Sequence, residues 1–300
     1  MAISTHLLLA VVLLTSALVV VTAEDALRRK LRRFRPVQAL ALGGALVLVP
    51  LNLVALLASD EPWLAVITVT FSTAVLLAQI GVGAVSVVAV QRDPHPRRVL
   101  AIGAHPDDLE LACGGTLARL VDAGHEVHTL ILSAGAVGGD PTIRPDEARA
   151  ASTFLGATTC TVESFPDTRL PEHETEMVAV IEARLKAINA DIVLTHSRND
   201  QHQDHVAVHL ATMRAARKHP AILCYESPSS TEAFTPHVFV DIDDYVHVKS
   251  TAVSVHRDQV AKSYMTPETI AGVAAFRGRQ ARVPHAEGFE AVRLPLTEVL

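Results

Sequence analysis

The sequence predicts an α/β fold, a Rossmann-like, mostly parallel sheet with helices on both faces, preceded by an all-α transmembrane segment of about three helices. Three observations predict it. The first ninety residues hold three long apolar stretches free of Lys, Arg, Asp and Glu. From Arg97 onward, short continuous apolar runs alternate with longer amphipathic ones. Two His/Asp clusters, Ala104-His105-Pro106-Asp107-Asp108-Leu109-Glu110 and His202-Gln203-Asp204-His205, each follow one of the short runs. Continuous apolar strands belong to a parallel sheet covered on both faces. Ligands bind such sheets outside the carboxyl ends of the strands, so both clusters fall at one edge.

The apolar stretches run Leu7–Ala23, Val37–Ala58 and Trp63–Val90. Each reaches or approaches the roughly 20 residues that cross a bilayer core, which places spans at about 5–23, 37–58 and 63–90. The alternative for the first is a cleaved signal sequence. Its amino-terminal flank lacks Lys and Arg, and Glu24-Asp25 and a basic cluster follow it, which fits a signal poorly. Arg28, Arg29, Lys30, Arg32, Arg33 and Arg35 separate the first two spans, only Asp60 and Glu61 the next two, and Arg92, Arg97 and Arg98 follow the third. The positive-inside rule then predicts a multi-pass protein of the cell membrane, its amino terminus outside and its carboxy-terminal domain cytoplasmic. The basic loop suits anionic headgroups, and Trp63 reads as an interfacial anchor.

Gln91-Arg92-Asp93-Pro94-His95-Pro96 reads as a linker, dividing a membrane region, 1–92, from a second domain, 93–300. In the second domain Val99–Ala104 reads as a strand. Gly114–Ala123 reads as a helix stopped by Gly124, a residue suited to a left-handed cap. Val127–Leu132 is a strand, and Gly135, Gly138 and Gly139 mark a loop. Asp146–Leu155 is helical and ends at Gly156. Cys160–Val162 is a strand, Glu174–Ile188 a helix, Ile192–Thr195 a strand, Val206–Arg217 a helix and Ile222–Tyr225 a strand. About two hundred residues suffice for one such core.

Composition excludes some classes. The 300 residues are 49% apolar, with a mean hydropathy of +0.30, and the excess lies in the first ninety. A net charge of −6, with no basic stripe in the second domain, argues against a nucleic-acid partner. Cys113, Cys160 and Cys224 are odd in number and lack CxxC spacing, so they read as small buried residues rather than disulfides or thiolate ligands.

The two clusters carry the chemistry. Catalytic zinc takes three protein ligands and keeps one position open for water. His105 and Asp108, three residues apart, can reach one ion from a single turn, which Pro106 stiffens. A third ligand must come from elsewhere, and His205 stands past the end of another strand. Asp107 and His202 remain. An aspartate beside an activated water is a natural general base, and a histidine opposite can polarise an oxyanion or protonate a leaving group. Asp204 can hold a ligand histidine in one tautomer.

The run His105-Pro106-Asp107-Asp108-Leu109-Glu110-Leu111-Ala112-Cys113-Gly114-Gly115-Thr116-Leu117, with His202-Gln203-Asp204-His205, resembles the LmbE-like zinc deacetylases, also called the PIG-L family. The resemblance covers roughly Arg98 to Leu294. Further matching pieces are Arg144-Pro145-Asp146-Glu147-Ala148-Arg149, Phe165-Pro166-Asp167, His256-Arg257-Asp258-Gln259 and Ala286-Glu287-Gly288-Phe289. It implies zinc-dependent removal of an N-acetyl group from an N-acetylglucosamine-type sugar or glycoconjugate. It implies His105, Asp108 and His205 as zinc ligands, Asp107 as base and His202 as stabiliser of the tetrahedral intermediate. Asp200 belongs to the same loop pattern, Arg144, Arg149 and Asp167 fall where the family places substrate contacts, and His256 stands in a matched motif. The family's first motif often has Glu directly after the second Asp, where Leu109 intervenes here.

Outside these motifs the expectations are plain. Glu110 reads as a first-turn residue favoured by the helix amino terminus. His6, His95, His125, His128, His173, His209, His219, His237, His247 and His285 lack ligand spacing. Asp243-Asp244 reads as a cap or solvated turn. Gly135–Gly139 lacks the Lys-Ser/Thr of a P-loop and reads as a flexible rim loop. Two other functions compete. A metal-dependent phosphoesterase would need two ions and more carboxylates. A membrane protein that only binds a glycan or glycolipid would not need a complete set of ligands, base and acid. The membrane segment suggests a lipid-linked substrate; the sequence does not name the substrate or the oligomeric state.

Overall fold

The computed structural model describes residues 2–58, 61–88, 90 and 92–295, so Asp60 and Gln91 lie outside the described residues. It divides into two compact units, residues 1–89 and 90–300.

The first unit is helical: α1 (Ala2–Thr22), α2 (Glu24–Lys30), α3 (Phe34–Leu57) and α4 (Pro62–Ser86). Thr5–Thr22, Phe34–Leu57 and Pro62–Ser86 are long and apolar enough to cross a membrane. At 1.5 Å per residue, the 24 residues of α3 extend about 36 Å. Their outward surfaces stay apolar, with Leu46, Leu57 and Val85 each more than three-quarters exposed. Polar groups turn inward: buried Asn52 donates from Nδ2 to Ser72 Oγ and to the Leu48 carbonyl, each at 2.8 Å, and its Oδ1 lies 2.9 Å from His6 Nδ1. Such pairs link apolar helices where water is absent. Two expectations change. The basic segment forms α2, in which Arg28 reaches back to Glu24. The third expected span, α4, stops at Ser86, before Val90, because Val87 turns extended and bridges Leu31, with Val88 N–H on the Lys30 carbonyl at 3.0 Å.

The second unit runs β1 (Arg98–Gly103), α5 (Asp108–Asp122), β2 (Glu126–Ser133), α6 (Arg144–Leu155), β3 (Thr159–Phe165), α7 (Glu174–Ile188), β4 (Ile192–His196), α8 (Gln203–Ala215), β5 (Ile222–Tyr225), β6 (Val238–Asp241), α9 (Val246–Ser254), α10 (Pro267–Ala281) and β7 (Ala286–Arg293). The sheet order is β3-β2-β1-β4-β5-β7-β6. The first five strands are parallel; β7 runs antiparallel to both β5 and β6. On one face Leu100, Ile102, Leu130, Leu132, Val193 and Ile222 pack against Met177 and Ile181 of α7 and Val208 and Ala211 of α8. α5, α6 and α9 pack together as a separate helical layer.

The helices start earlier than the apolar pattern suggests. α5 begins at Asp108 rather than Gly114, and α8 at Gln203 rather than Val206, so the His/Asp clusters form the first turns themselves. Gly124 and Gly156 take φ of +98° and +86° just past their helices, as a left-handed stop requires. Because the order turns back between β1 and β4, the crevice at their carboxyl ends is the natural ligand site.

Candidate metal centre

His105 leaves the end of β1, and Asp107 and Asp108 complete the turn into α5. The turn is tight. A Cβ on Gly103 would stand 3.3 Å from both Asp108 and Leu109, and Asp107 holds a left-handed φ of +111°. Asp108 Oδ2 accepts the Ala104 N–H at 2.9 Å and the His105 N–H at 2.7 Å, and lies 3.1 Å from His196 Nε2. Its other oxygen, Oδ1, lies 3.3 Å from His205 Nε2. His205 stands in the first turn of α8, whose N-cap is His202, with Nδ1 accepting the Asp204 N–H at 3.2 Å.

Carboxylates hold the far sides of both rings. His105 Nε2 lies 3.1 Å from Asp204 Oδ2 and 3.1 Å from Asp167 Oδ1. His205 Nδ1 lies 2.9 Å from Asp200 Oδ2. These acids are themselves fixed. Asp204 accepts the Thr168 and Leu170 N–H groups, Asp167 those of Val137 and Gly138, and Asp200 the Ser227 and Ser229 hydroxyls and the His202 N–H. Backing carboxylates orient metal-binding imidazoles in this way. His105 Nδ1 lies 3.5 Å from Asp108 Oδ2 and His205 Nε2 3.3 Å from Asp108 Oδ1, so both rings face the one carboxylate.

Ligand atoms of His105, Asp108 and His205 all lie within 4.8 Å of one another, and all three residues are buried. Two nitrogens and one oxygen form a donor set suited to a divalent ion with an open position. His105–His202–Asp204 and His196–Asp200–His205 lie equally close together. In those groups, however, N–H and hydroxyl donors engage both carboxylate oxygens, whereas in Asp108 they engage Oδ2 alone. The residues present therefore fit one divalent ion best at His105, Asp108 and His205.

Electrostatics separate the two adjacent aspartates. Burial and the Asp108 carboxylate push Asp107 up to about 6, against the pull of Arg144. Burial opposes ionisation of Asp108 too, but His205 and His196 beside it, with hydrogen bonds from His105 and His196, hold it well below the usual carboxylate range. Burial and the neighbouring His205 and His105 lower His202, which keeps it neutral near pH 7.

A cavity of about 400 Å³ joins His105, Asp107, Asp108, Arg144, Asp167, His202 and His205. Asp200 and Asp204 stand behind it on the two imidazoles. Arg149 and His256, expected to touch substrate or to support the site, do not line this cavity. Arg149 is on the exposed side of α6, paired with Asp146 at 2.6 Å. His256 is buried, with Nε2 3.2 Å from Glu110 Oε2, away from the cavity lining. Glu110 stands in the first turn of α5, as expected, and is fully buried there as the partner of His256. Arg144 reaches the Pro106 and Gly135 carbonyls, each at 2.7 Å, and Asp107 Oδ2 at 3.4 Å. Together with Asp167 it ties down the 135–139 loop, which is thus a bonded part of the wall. Asp243 falls in a turn, its carboxylate on His285 Nδ1 at 2.7 Å.

Sequence reasoning missed His196, Ser227, Ser229, Lys262 and Tyr264. His196 had a signal, a histidine at the carboxyl end of a strand, but no motif singled it out. Lys262 and Tyr264 line the cavity from between the two motifs at 256–259 and 286–289, where neither motif points to them.

The family model described as PIG-L, GlcNAc-PI de-N-acetylase, matches residues 100–216. The chain is 40% identical over 166 residues to the uncharacterized deacetylase YaiS of Escherichia coli, covering 53% of this chain and 90% of that one. It is 28% identical over 224 residues to the diacetylchitobiose deacetylase of Thermococcus kodakarensis, covering 65% and 83%. Among solved structures it resembles the conserved protein TT1542 of Thermus thermophilus, with a TM-score of 0.59 at 28% identity, covering 66% and 95%.

Proposed function

The chain belongs to the PIG-L (LmbE-like) deacetylase family, and from that premise we propose that it is a membrane-anchored, zinc-dependent hydrolase. It removes an N-acetyl group from an N-acetylglucosamine-type sugar or glycoconjugate and releases acetate. The observation that carries this reading is the convergence of His105, Asp108 and His205, backed by Asp204, Asp167 and Asp200, beside an Asp107 that faces the same cavity.

His105, Asp108 and His205 would hold the zinc. The ion supplies a lowered water pKa, near 7, and polarisation of the acyl carbonyl. The chain's own groups do the rest. Asp107, its proton affinity raised toward neutrality by burial, takes a proton from the water that adds to the acetyl carbon. Neutral His202, on the α8 side of the cavity, offers a hydrogen bond to the oxygen that gains charge. The proton held on Asp107 then passes to the amine nitrogen as the carbon–nitrogen bond breaks. Asp200 and Asp204 keep the His205 and His105 rings in register throughout.

Residues 1–92 form the membrane region and 93–300 the catalytic domain. Three apolar helices and the Lys/Arg distribution support a multi-pass protein with a cytoplasmic catalytic domain. That placement favours a lipid-linked amino sugar.

Acetate release by the zinc-loaded full chain, screened over N-acetylated sugars, glycolipids and short amides, tests the activity. Release from no N-acetyl substrate would end it. Elemental analysis with two tightly bound ions per chain would favour a phosphoesterase instead. Extraction of the full chain from membranes by alkaline carbonate without detergent would end the anchor.

A further inference from the structure

The helix that carries Asp108 is interrupted. Inside α5, Cys113 takes φ −137° and ψ 18°, which breaks the helical ladder just past Ala112. Such a break leaves backbone groups without helical partners on both sides. One buried ion pair meets both sides. Glu287 of β7 accepts the Gly115 N–H on Oε1 at 3.1 Å and the Thr116 N–H on Oε2 at 2.7 Å. It serves the second half of α5 as a carboxylate serves a helix amino terminus. Lys249 of α9 donates from Nζ to the Ala112 carbonyl at 3.3 Å and to Glu287 Oε1 at 2.6 Å. Their side chains are 6% and 3% exposed. The glycines beside the break leave little slack: a Cβ on Gly114 would meet Lys249 Cγ at 3.5 Å, and one on Gly115 would meet Ile242 at 3.0 Å.

On the near side of the break stands a strained turn. Asp107 has φ +111°, a conformation that costs a side-chain-bearing residue of order 1–3 kcal/mol and persists only when its surroundings over-determine it. Arg144 holds the turn from one side, through the Pro106 carbonyl and the Asp107 carboxylate. On the other side the helical segment is only Asp108–Ala112, too short to be stable alone. Its last carbonyl is the one that Lys249 holds.

We propose that Lys249 and Glu287 are positioning residues for the Asp107–Asp108 turn. By plugging the break in α5 they hold the short segment at one angle, and through it the direction of the ligand oxygen and the base. This rests on the roles given above to Asp107 and Asp108. Ion pairing by itself does not account for the pair, because a buried ion pair is often replaced by apolar residues at no cost. What an apolar pair cannot supply is a donor for Ala112 and two acceptors for Gly115 and Thr116.

That difference sets the experiment. The full chain in detergent, as Lys249→Met/Glu287→Leu and as Glu287→Gln, is compared with the parent in thermal midpoint, zinc affinity against a chromophoric chelator, and kcat and KM for acetate release. In the double variant the zinc Kd rises about 10–100-fold and kcat falls about tenfold or more, as when groups supporting metal ligands are lost. KM stays within about twofold, because ground-state binding is untouched. A lowered midpoint with zinc Kd and kcat unchanged, both measured well below that midpoint, would mean a merely structural role and overturn the proposal. If the double variant does not fold, Glu287→Gln is read in the same way, and unchanged zinc affinity and kcat overturn the proposal. A parent chain that releases no acetate fails the functional reading alone, and the zinc-affinity comparison still decides the positioning role.

Discussion

His196 lies flat against His205, ring centroids 3.9 Å apart and 19° from parallel, and its Nε2 reaches Asp108 Oδ2 at 3.1 Å. Burial and the neighbouring His205 push it down to about 4, so the ring is neutral. Its Nδ1 is buried without a partner. The Ala104 N–H also points at that Nε2, at 3.1 Å, so the nitrogen sits between a backbone donor and the Asp108 carboxylate. Asp108 Oδ2 accepts the Ala104 and His105 N–H groups beside this ring, and Oδ1 is left to face the candidate metal.

Loss of that ring beside Asp108 should loosen the metal site. His196→Ala is expected to raise the zinc Kd about 10–100-fold. Competition with a chelator measures it, and an unchanged affinity would show that His196 does not orient Asp108.

Asp107 should separate chemistry from binding. Asp107→Asn is expected to retain one zinc per chain by elemental analysis while acetate release falls about 10²–10⁴-fold. Full activity in this variant would remove the role assigned to Asp107.

The two arginines of α6 should behave oppositely. Arg144 is buried on two carbonyls and Asp107, so Arg144→Met leaves a buried charge unpaired and costs about 3–5 kcal/mol. For a unit of this size that lowers the thermal midpoint by about 6–20 °C. Arg149→Ala, on the exposed side, should change stability by less than about 0.5 kcal/mol. A marked rise in KM for Arg149→Ala would return that residue to the substrate site.

His256 should make stability depend on pH. Burial alone would lower its proton affinity, but the hydrogen bond and charge of Glu110 outweigh burial and raise it. A raised folded-state value contributes stability that is full below the unfolded value, about 6.5, and fades as pH rises through the folded value. The parent should therefore exceed His256→Gln in thermal midpoint most clearly below about pH 6.5. A gap that widens toward alkaline pH would contradict this sign.

Much of the site was legible because its residues are local in sequence. His105, Asp107 and Asp108 share one turn, and His202 and His205 another, so spacing alone brings each set to one side. The parallel core was legible for a similar reason. Val99–Ile102, Leu130–Leu132 and Ile192–Leu194 are continuous apolar runs, which a sheet covered on both faces demands. The antiparallel end was not, since β7 lacks such a run, four of its residues being exposed or half-buried, and β6 has only the short Val238–Val240. Arg149 and Arg144 look alike on the chain, and only helix phase puts one on carbonyls and the other in solvent.

The sequence by itself determined the apolar helices, the parallel order of strands and the two clusters at their carboxyl ends, because periodicity and spacing act over a few residues. The tertiary structure alone decided which carboxylate backs which imidazole, which oxygen of Asp108 is free, and how a broken α5 is held. Those depend on contacts between residues far apart in the chain, such as Asp108 with His196, Glu110 with His256 and Gly115 with Glu287. A buried polar group must find its partner in space, and its sequence neighbours do not say where that partner is.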